Sequence, residues 1–247
     1  PGNIADNAAL IFNQATNGTY AGVLTGSGSF VKTGAGQLKM TGNSSAFIGA
    51  ITAAAGDLNV DGTLGGSLIT ISPGATLSGS GQVGNVTNNG GTISPGDSVG
   101  TLTVAGNLTL NPGSVLYNEI APGSSDKLVV TGTAALDGTV TVAPDSGFYG
   151  VQESFTILTA PMISGTFSGV TSTNSNVQPT LSYPTGSVVL TVLIVEPFLG
   201  FQASNRNTRS VADNIDAIGA AGSLRSDPAL LNAINALTGQ SNAAIND

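Results

Sequence analysis

Ile71-Ser72-Pro73-Gly74 returns as Ile93-Ser94-Pro95-Gly96, and Asn111-Pro112-Gly113 echoes it one short turn later. Between these markers lie brief runs in which apolar residues alternate with Thr, Ser or Asn: Leu58-Asn59-Val60, Leu102-Thr103-Val104, Leu108-Thr109-Leu110. Alternation with period two is the pattern of half-buried strands, not of helices. A repeat of roughly 20 to 50 residues marks a stacked architecture, because one such unit cannot bury its own apolar face without a neighbour on either side. The chain therefore reads as all-β, a solenoid of strands in which Ile71 and Ile93 are expected in register on adjacent rungs.

Working outward, short strand-like runs from about 20 to 142 are separated by Gly26-Ser27-Gly28, Gly34-Ala35-Gly36, Gly65-Gly66, Gly79-Ser80-Gly81 and Asn88-Asn89-Gly90-Gly91. Gly and Asn tolerate the positive φ that tight corners require. The phrase Gly56-Asp57-Leu58-Asn59-Val60 returns as Gly100-Thr101-Leu102-Thr103-Val104, at twice the spacing that separates the two Ser-Pro-Gly markers. One coil of about 22 residues with three strands and three corners accounts for both spacings. Helical crossovers of a dozen or more residues do not fit between these strands, so a βαβ arrangement is excluded.

Composition agrees. Of 247 residues, 40% are hydrophobic, 35 are Gly and only 8% are charged, and mean hydropathy is +0.25, which excludes a disordered tail. The formal net charge of −8 and six basic residues argue against nucleic acid or anionic lipid as partner, since both demand clustered Lys and Arg. Cysteine is absent, which suits passage through an oxidising compartment and a cytosolic protein equally. No run reaches the length of a membrane-spanning helix, and Pro1-Gly2-Asn3 lacks the features of a signal peptide. For an exported protein the expectation is an internal piece of a longer precursor.

Three segments follow. Residues 1–142 are expected to form the parallel β-helix coils. Residues 143–194, with Phe155-Thr156-Ile157-Leu158, Leu181-Ser182-Tyr183 and Val188-Val189-Leu190, are expected to form a hairpin-rich cap over the last apolar layer and its open strand edge. Residues 195–247 change to helical spacing: Val211, Ile215 and Ile218 share one face. Asp227 is suited to an N-cap and Pro228 to the first helical turn, ahead of Leu230, Leu231, Ile234, Leu237 and the terminating Gly239.

These residues resemble a known family, the C-terminal passenger region of bacterial type V autotransporters. The resemblance rests on Lys32-Thr33-Gly34-Ala35-Gly36-Gln37-Leu38-Lys39-Met40-Thr41-Gly42, which is similar to the passenger-associated repeat, and on Ser94-Pro95-Gly96-Asp97-Ser98-Val99-Gly100-Thr101-Leu102-Thr103-Val104. It rests also on Ser125-Asp126-Lys127-Leu128-Val129-Val130-Thr131-Gly132 and the linker-like Asn205-Arg206-Asn207-Thr208-Arg209-Ser210-Val211-Ala212. The resemblance implies a right-handed parallel β-helix, an autochaperone region near its C-terminal end and a helical linker leading to an outer-membrane β-barrel. No barrel strands are expected after Gly239. It also implies export through the periplasm and outer membrane to the bacterial surface or medium. The implied partners are the chain's own barrel, its assembly machinery, and a host receptor or matrix protein.

Several stretches look catalytic in isolation. Gly96-Asp97-Ser98-Val99 mimics the nucleophile block of GDSL-type esterases, but the chain has no histidine to relay a proton from Ser98. Lys32, Lys39 and Lys127 stand outside any Ser-x-x-Lys helix and are expected on the surface. Asp57 and Asp61 share a strand face, as a glycosidase pair would, but are expected to cap turns. Gly65-Gly66-Ser67-Leu68 and Gly90-Gly91-Thr92-Ile93 lack the aspartate of calcium-binding rolls, and neither His nor Cys is available for zinc or iron. The Asn-x-Ser/Thr triplets Asn17-Gly18-Thr19 and Asn107-Leu108-Thr109 are expected to be structural. No catalytic, metal or cofactor residue is assigned. The expected role is a folding and secretion scaffold with host-surface adhesion, the alternative being a passenger whose hydrolase activity, esterase or polysaccharide-cleaving, lies upstream.

Overall fold

The structure, a computed structural model, describes residues 2–147, 149–150 and 152–194. The helical linker expected over 195–247 lies outside the described residues, among which there is no helix.

The described residues form a parallel β-solenoid with three faces. The first face stacks Ala9–Asn13, Ser29–Thr33, Ile51–Ala53, the second halves of Thr63–Ile71 and Gln82–Asn88, then Leu108–Leu110, Thr133–Leu136 and Met162–Gly165. The second stacks Asn43–Ser44, the first halves of those two long strands, Thr101–Val104, Lys127–Val130 and Gln152–Thr159. The third stacks Gly18–Tyr20, Gln37–Met40, Gly56–Val60, Ala75–Gly79, Thr92–Pro95, Val115–Ala121, Thr139–Pro144 and Gly169–Ser172. All these pairings are parallel, so the strands of each coil form ladders only with those of the coils before and after it.

Strand alternation points every second residue inward, and parallel register then places like on like. On the third face one column runs through Gly18, Leu38, Leu58, Leu77, Ile93, Leu116, Val140 and Val170. On the first, Leu10, Phe30, Ile51, Ile69, Val86, Leu108, Ala134 and Ile163 stack likewise. Leu64, Val83, Val104 and Val130 do so on the second. Most of these side chains are fully buried, and at about 25 cal/mol per Å² of apolar surface they supply the cohesion of the stack. At the N-terminal coil Phe12 meets Phe30 edge-on and Tyr20 at a tilt, each with ring centroids 5.6 Å apart.

The third-face column climbs from Gly18 to Val170 in seven steps, a mean coil that matches the spacing of the Ser-Pro-Gly markers. Individual coils differ widely, the step from Val140 to Val170 consuming almost twice as much chain as the step from Leu77 to Ile93. This variation corrects the expected pairing of Ile71 with Ile93. Ile71 lies on the first face, in register with Ala53 and Asn88, whereas Ile93 lies on the third, between Leu77 and Leu116. The phrase at 56–60 and its echo at 100–104 also fall on different faces. Any face needs an apolar alternation bounded by a corner glycine. The repeated phrases express that local requirement, while corner insertions set the length of each turn.

At the C-terminal end Gln152–Thr159 still pairs in parallel with Lys127–Val130, then antiparallel with Ser187–Ile194, which pairs antiparallel with Val177–Ser182. Ile157, Leu158, Val188, Leu190 and Val192 of these strands are fully buried.

Candidate functional site: the laced outer side of the third face

The densest polar constellation lies on the outside of the third face, where alternation turns Gln37 and Lys39, then Asp57 and Asn59, then Ser78 away from the core on three successive rungs. Outward polar residues would ordinarily be wet, yet Asn59 is 1% and Ser78 7% exposed. Their cover is the segment after Thr92–Pro95. Its Gly96 exchanges backbone hydrogen bonds with Gly79, Gly96 N–H donating to Gly79 O at 2.8 Å and Gly79 N–H to Gly96 O at 3.3 Å. Gly96 has φ of +88°, and a Cβ there would overlap the carbonyl oxygen of Ser98, so the bend needs glycine. Residues 96–100 thus form a strap across the rungs.

Asp97 on that strap receives Asn59 Nδ2 at 2.6 Å and pairs with Lys39 Nζ at 2.5 Å; Lys39 pairs also with Asp61 at 2.6 Å. The Asn59 amide also donates to Ser78 Oγ at 2.9 Å, and Ser78 in turn donates to both oxygens of Asp57, at 2.8 and 2.9 Å. Gln37 Nε2 completes the ladder by donating to Asp57 at 2.7 Å. The two carboxylates beside Lys39 hold its ammonium well above the usual lysine range, and the same hydrogen bonds from Lys39 and Asn59 pull Asp97 below the usual carboxylate range. Burial pushes Asp57 up, against the lowering effect of Gln37 and Ser78. These are settled partnerships: each carboxylate in the ladder has its donors, and Lys39 is held protonated, so it offers no nucleophilic amine.

Asp57 and Asp61 do face the same side, as alternation requires, but each is engaged by its own partners, Asp57 by Ser78 and Gln37, Asp61 by Lys39 and the Ser80 amide. Ser98 sits exposed on the strap, beside the carboxylate that tethers it. The block resembling an esterase nucleophile motif is a fastening between coils.

Lys32 departs from the expected surface position. It is fully buried at the end of Ser29–Thr33, where its Nζ donates to the carbonyls of Gly34 at 2.8 Å and of Thr33 and Ala55 at 3.0 Å. Three corner carbonyls replace water around the ammonium, and burial lowers its pKa, opposed by the nearby charge of Asp57. Asn88, also fully buried, closes another corner by bonding Gly91 in both directions, at 2.7 and 2.9 Å. Among the described residues no group of three or more His, Cys, Asp or Glu is placed to hold a metal ion.

A comparison with known proteins bears on this geometry. A 68-residue stretch, 27% of the chain, is 38% identical to part of the adhesin BmaC autotransporter of Brucella suis biovar 1. The match spans 2% of that protein's length. No family model matches the chain. The similarity is to an autotransporter adhesin, and the parallel stack is the fold that the sequence resemblance to autotransporter passengers implies.

Proposed function

We propose that this chain is part of an autotransporter passenger, a right-handed parallel β-helix displayed at the bacterial surface, that serves as a folding and secretion scaffold and carries an adhesive face. The observation that carries the reading is the unbroken parallel register of the inward columns, in a chain similar over a quarter of its length to an autotransporter adhesin. In a stack whose strands pair only with those of adjacent coils, order propagates from whichever end forms first. The strands Val177–Ser182 and Ser187–Ile194 pair antiparallel through a short connection and bury Val188 and Leu190, and Gln152–Thr159 joins that hairpin with Phe155, which suits this end to order first and to act as cap and autochaperone of the stack. The chain's own outer-membrane barrel and its assembly machinery are the partners of that step.

The test is surface display of the precursor. Phe155→Asp and Val188→Asp are expected to abolish it, while Leu38→Asp, an equally buried position in an early coil, is expected to leave the 152–194 epitope displayed. Display lost equally in all three variants, or retained in all, overturns the autochaperone role.

Adhesion to a host receptor or matrix protein is supported by the first face. Its outward column runs Ile11, Val31, Thr52, Thr70, Thr87, Thr109, Ala135 and Ser164, and the outward positions of its strands carry no charged side chain, although the chain has a net charge of −8. A flat, uncharged, hydroxyl-bearing strip suits many weak contacts multiplied by display on a cell. Binding of the purified chain to host cells, weakened by Thr70→Lys with Thr109→Lys, is the expected result; no binding by the parent chain overturns the adhesive role.

A further inference from the structure

The corner Asn88-Asn89-Gly90-Gly91 holds two adjacent asparagines in opposite situations. Asn88 is locked: it is fully buried, it bonds Gly91 in both directions, and the nitrogen that follows it, the Asn89 N–H, donates to Ile71 O at 2.9 Å. Asn89 is exposed. Its Oδ1 accepts Asn111 Nδ2 at 2.7 Å, while its own Nδ2 donates to no group among the described residues. The Gly90 N–H that follows likewise has no acceptor among them. Gly90 has φ of +103°, and a Cβ there would meet nothing closer than the Pro73 ring at 3.5 Å, so the corner depends on glycine and is open around it.

An asparagine Cγ and the next backbone nitrogen are separated by so few bonds that rotation about the asparagine's own torsions brings them into contact, and reaction within one short ring replaces a bimolecular encounter. A folded chain usually prevents this by tying that nitrogen into a ladder and crowding it with a side chain. Neither restraint acts on Gly90. Asn111, the partner of Asn89, is followed by Pro112, whose nitrogen carries no hydrogen to lose. The sequence contains one other Asn-Gly pair, Asn17-Gly18, and it is restrained: Asn17 Oδ1 accepts the Gln37 N–H at 2.9 Å, and Gly18 lies within the strand Gly18–Tyr20, in register with Leu38.

We propose that Asn89-Gly90 is a self-modification site, at which the Gly90 nitrogen closes on Asn89 Cγ, expels ammonia and leaves aspartate or isoaspartate at position 89 after hydrolysis. Water and its hydroxide ion are the sole co-reactants. Hydroxide removes the Gly90 amide proton, the nitrogen's electron pair forms the new bond to Cγ, and the Cγ–Nδ2 bond breaks, its electrons leaving with Nδ2, which takes a proton from water and departs as ammonia. Water then opens the five-membered ring. Cleavage of the bond between nitrogen and Cγ gives aspartate; cleavage of the bond between nitrogen and the backbone carbonyl carbon gives isoaspartate, with the chain running through the former side chain. Asn111 Nδ2 already touches the oxygen on which negative charge develops as the ring closes, so it stabilises that charge where it forms. Either product adds one negative charge to a chain of formal net charge −8, at a corner that bounds the uncharged first face.

The experiment incubates the whole chain in mildly alkaline buffer, folded and separately unfolded in guanidinium chloride. Peptide mass mapping follows the replacement of NH2 by OH at each Asn-Gly pair, and an isoaspartyl methyltransferase assay detects the rearranged product. The ratio of folded to unfolded rate is expected to be at least about tenfold higher at Asn89 than at Asn17, since Gly18 reacts only when its coil opens. Asn89→Gln, which would need a six-membered ring, is expected to remove the signal at this corner. Asn111→Ala is expected to slow conversion about two- to tenfold, the kinetic equivalent of one hydrogen bond. Equal ratios at the two pairs, or an Asn89 that stays intact in the folded chain while the unfolded chain converts, overturns the proposal. A rate in Asn111→Ala at or above that of the parent overturns the part given to Asn111.

Discussion

Leu77 and Ile93 are partners on adjacent rungs of the third face, joined by the shortest coil of that column and both fully buried. They sit mid-column, with Leu58 below and Leu116 above. Truncation of Leu77 to Ala removes an isobutyl group that the rungs on either side cannot shift to replace, since their spacing is fixed by strand hydrogen bonds. Leu77→Ala is expected to cost about 2–5 kcal/mol and Ile93→Val about 0.5–1.5 kcal/mol. Thr76→Ala, next to Leu77 but outward, should change stability by no more than about 0.5 kcal/mol. Urea denaturation checks the ranking; equal losses at positions 76 and 77 would contradict the inward assignment.

The same pair shows what is legible in the sequence. Alternation reveals which residues face inward, because period two is a property of each strand alone; Leu58, Val60, Leu102, Val104, Leu108 and Leu110 are all buried. The mean coil length is legible too, since the Ser-Pro-Gly spacing samples it. Register is not. It depends on the residues consumed at each corner, and a corner insertion leaves the flanking strands' alternation unchanged, so Ile71 and Ile93 share a phrase without sharing a face. The polar ladder is half legible: alternation puts Asp57 and Asp61 on one side of a strand, but the strap that dries Asn59 is a tertiary contact. Lys32 escapes a local reading because its neighbours Thr33 and Gly34 have the composition of a wet turn, while the third carbonyl it satisfies, that of Ala55, arrives from the next coil.

That third carbonyl makes Lys32 a quantitative test. Lys32→Met keeps the length of the apolar stem and removes the donor. The Thr33 carbonyl keeps the Gln14 N–H at 3.2 Å, but those of Gly34 and Ala55 lose the ammonium in a dry corner. An abandoned buried acceptor costs about 1–3 kcal/mol, so the variant is expected to lose at least about 2 kcal/mol despite being more hydrophobic. A surface lysine would show no loss on the same change. Chemical denaturation of the two chains gives the answer.

The Lys39–Asp97 contact is expected to behave differently. Its side chains are 31% and 43% exposed, so water and salt screen it, and pairs of this kind contribute about 0–1 kcal/mol. Asp97→Ala should therefore shift global stability by less than about 1 kcal/mol while releasing the strap, seen as faster exchange of the Gly79 and Gly96 amides, which bond one another across it. Raising salt should shrink the global difference, because the Debye length falls to about 3 Å at 1 M. Unchanged exchange at both glycines would mean that their backbone pairing holds the strap without Asp97.

Glycine provides the last contrast, between a torsional and a steric requirement. Gly74 has φ of +79° with open space where a Cβ would stand, so Gly74→Ala meets only the left-handed backbone penalty of about 1–2 kcal/mol. Gly49 has an ordinary φ, yet its Cβ would overlap the carbonyl oxygen of Gly28 on the preceding coil and lie 2.7 Å from the Phe47 ring. The first obstacle is backbone that is itself part of the stack, so relief requires adjacent coils to separate. Gly49→Ala is expected to exceed Gly74→Ala, with a loss above about 2 kcal/mol. Thermal unfolding of the two variants side by side tests the tightness of the stack at 28 and 49: a smaller loss at position 49 than at 74 would show that neighbouring coils part there at little cost.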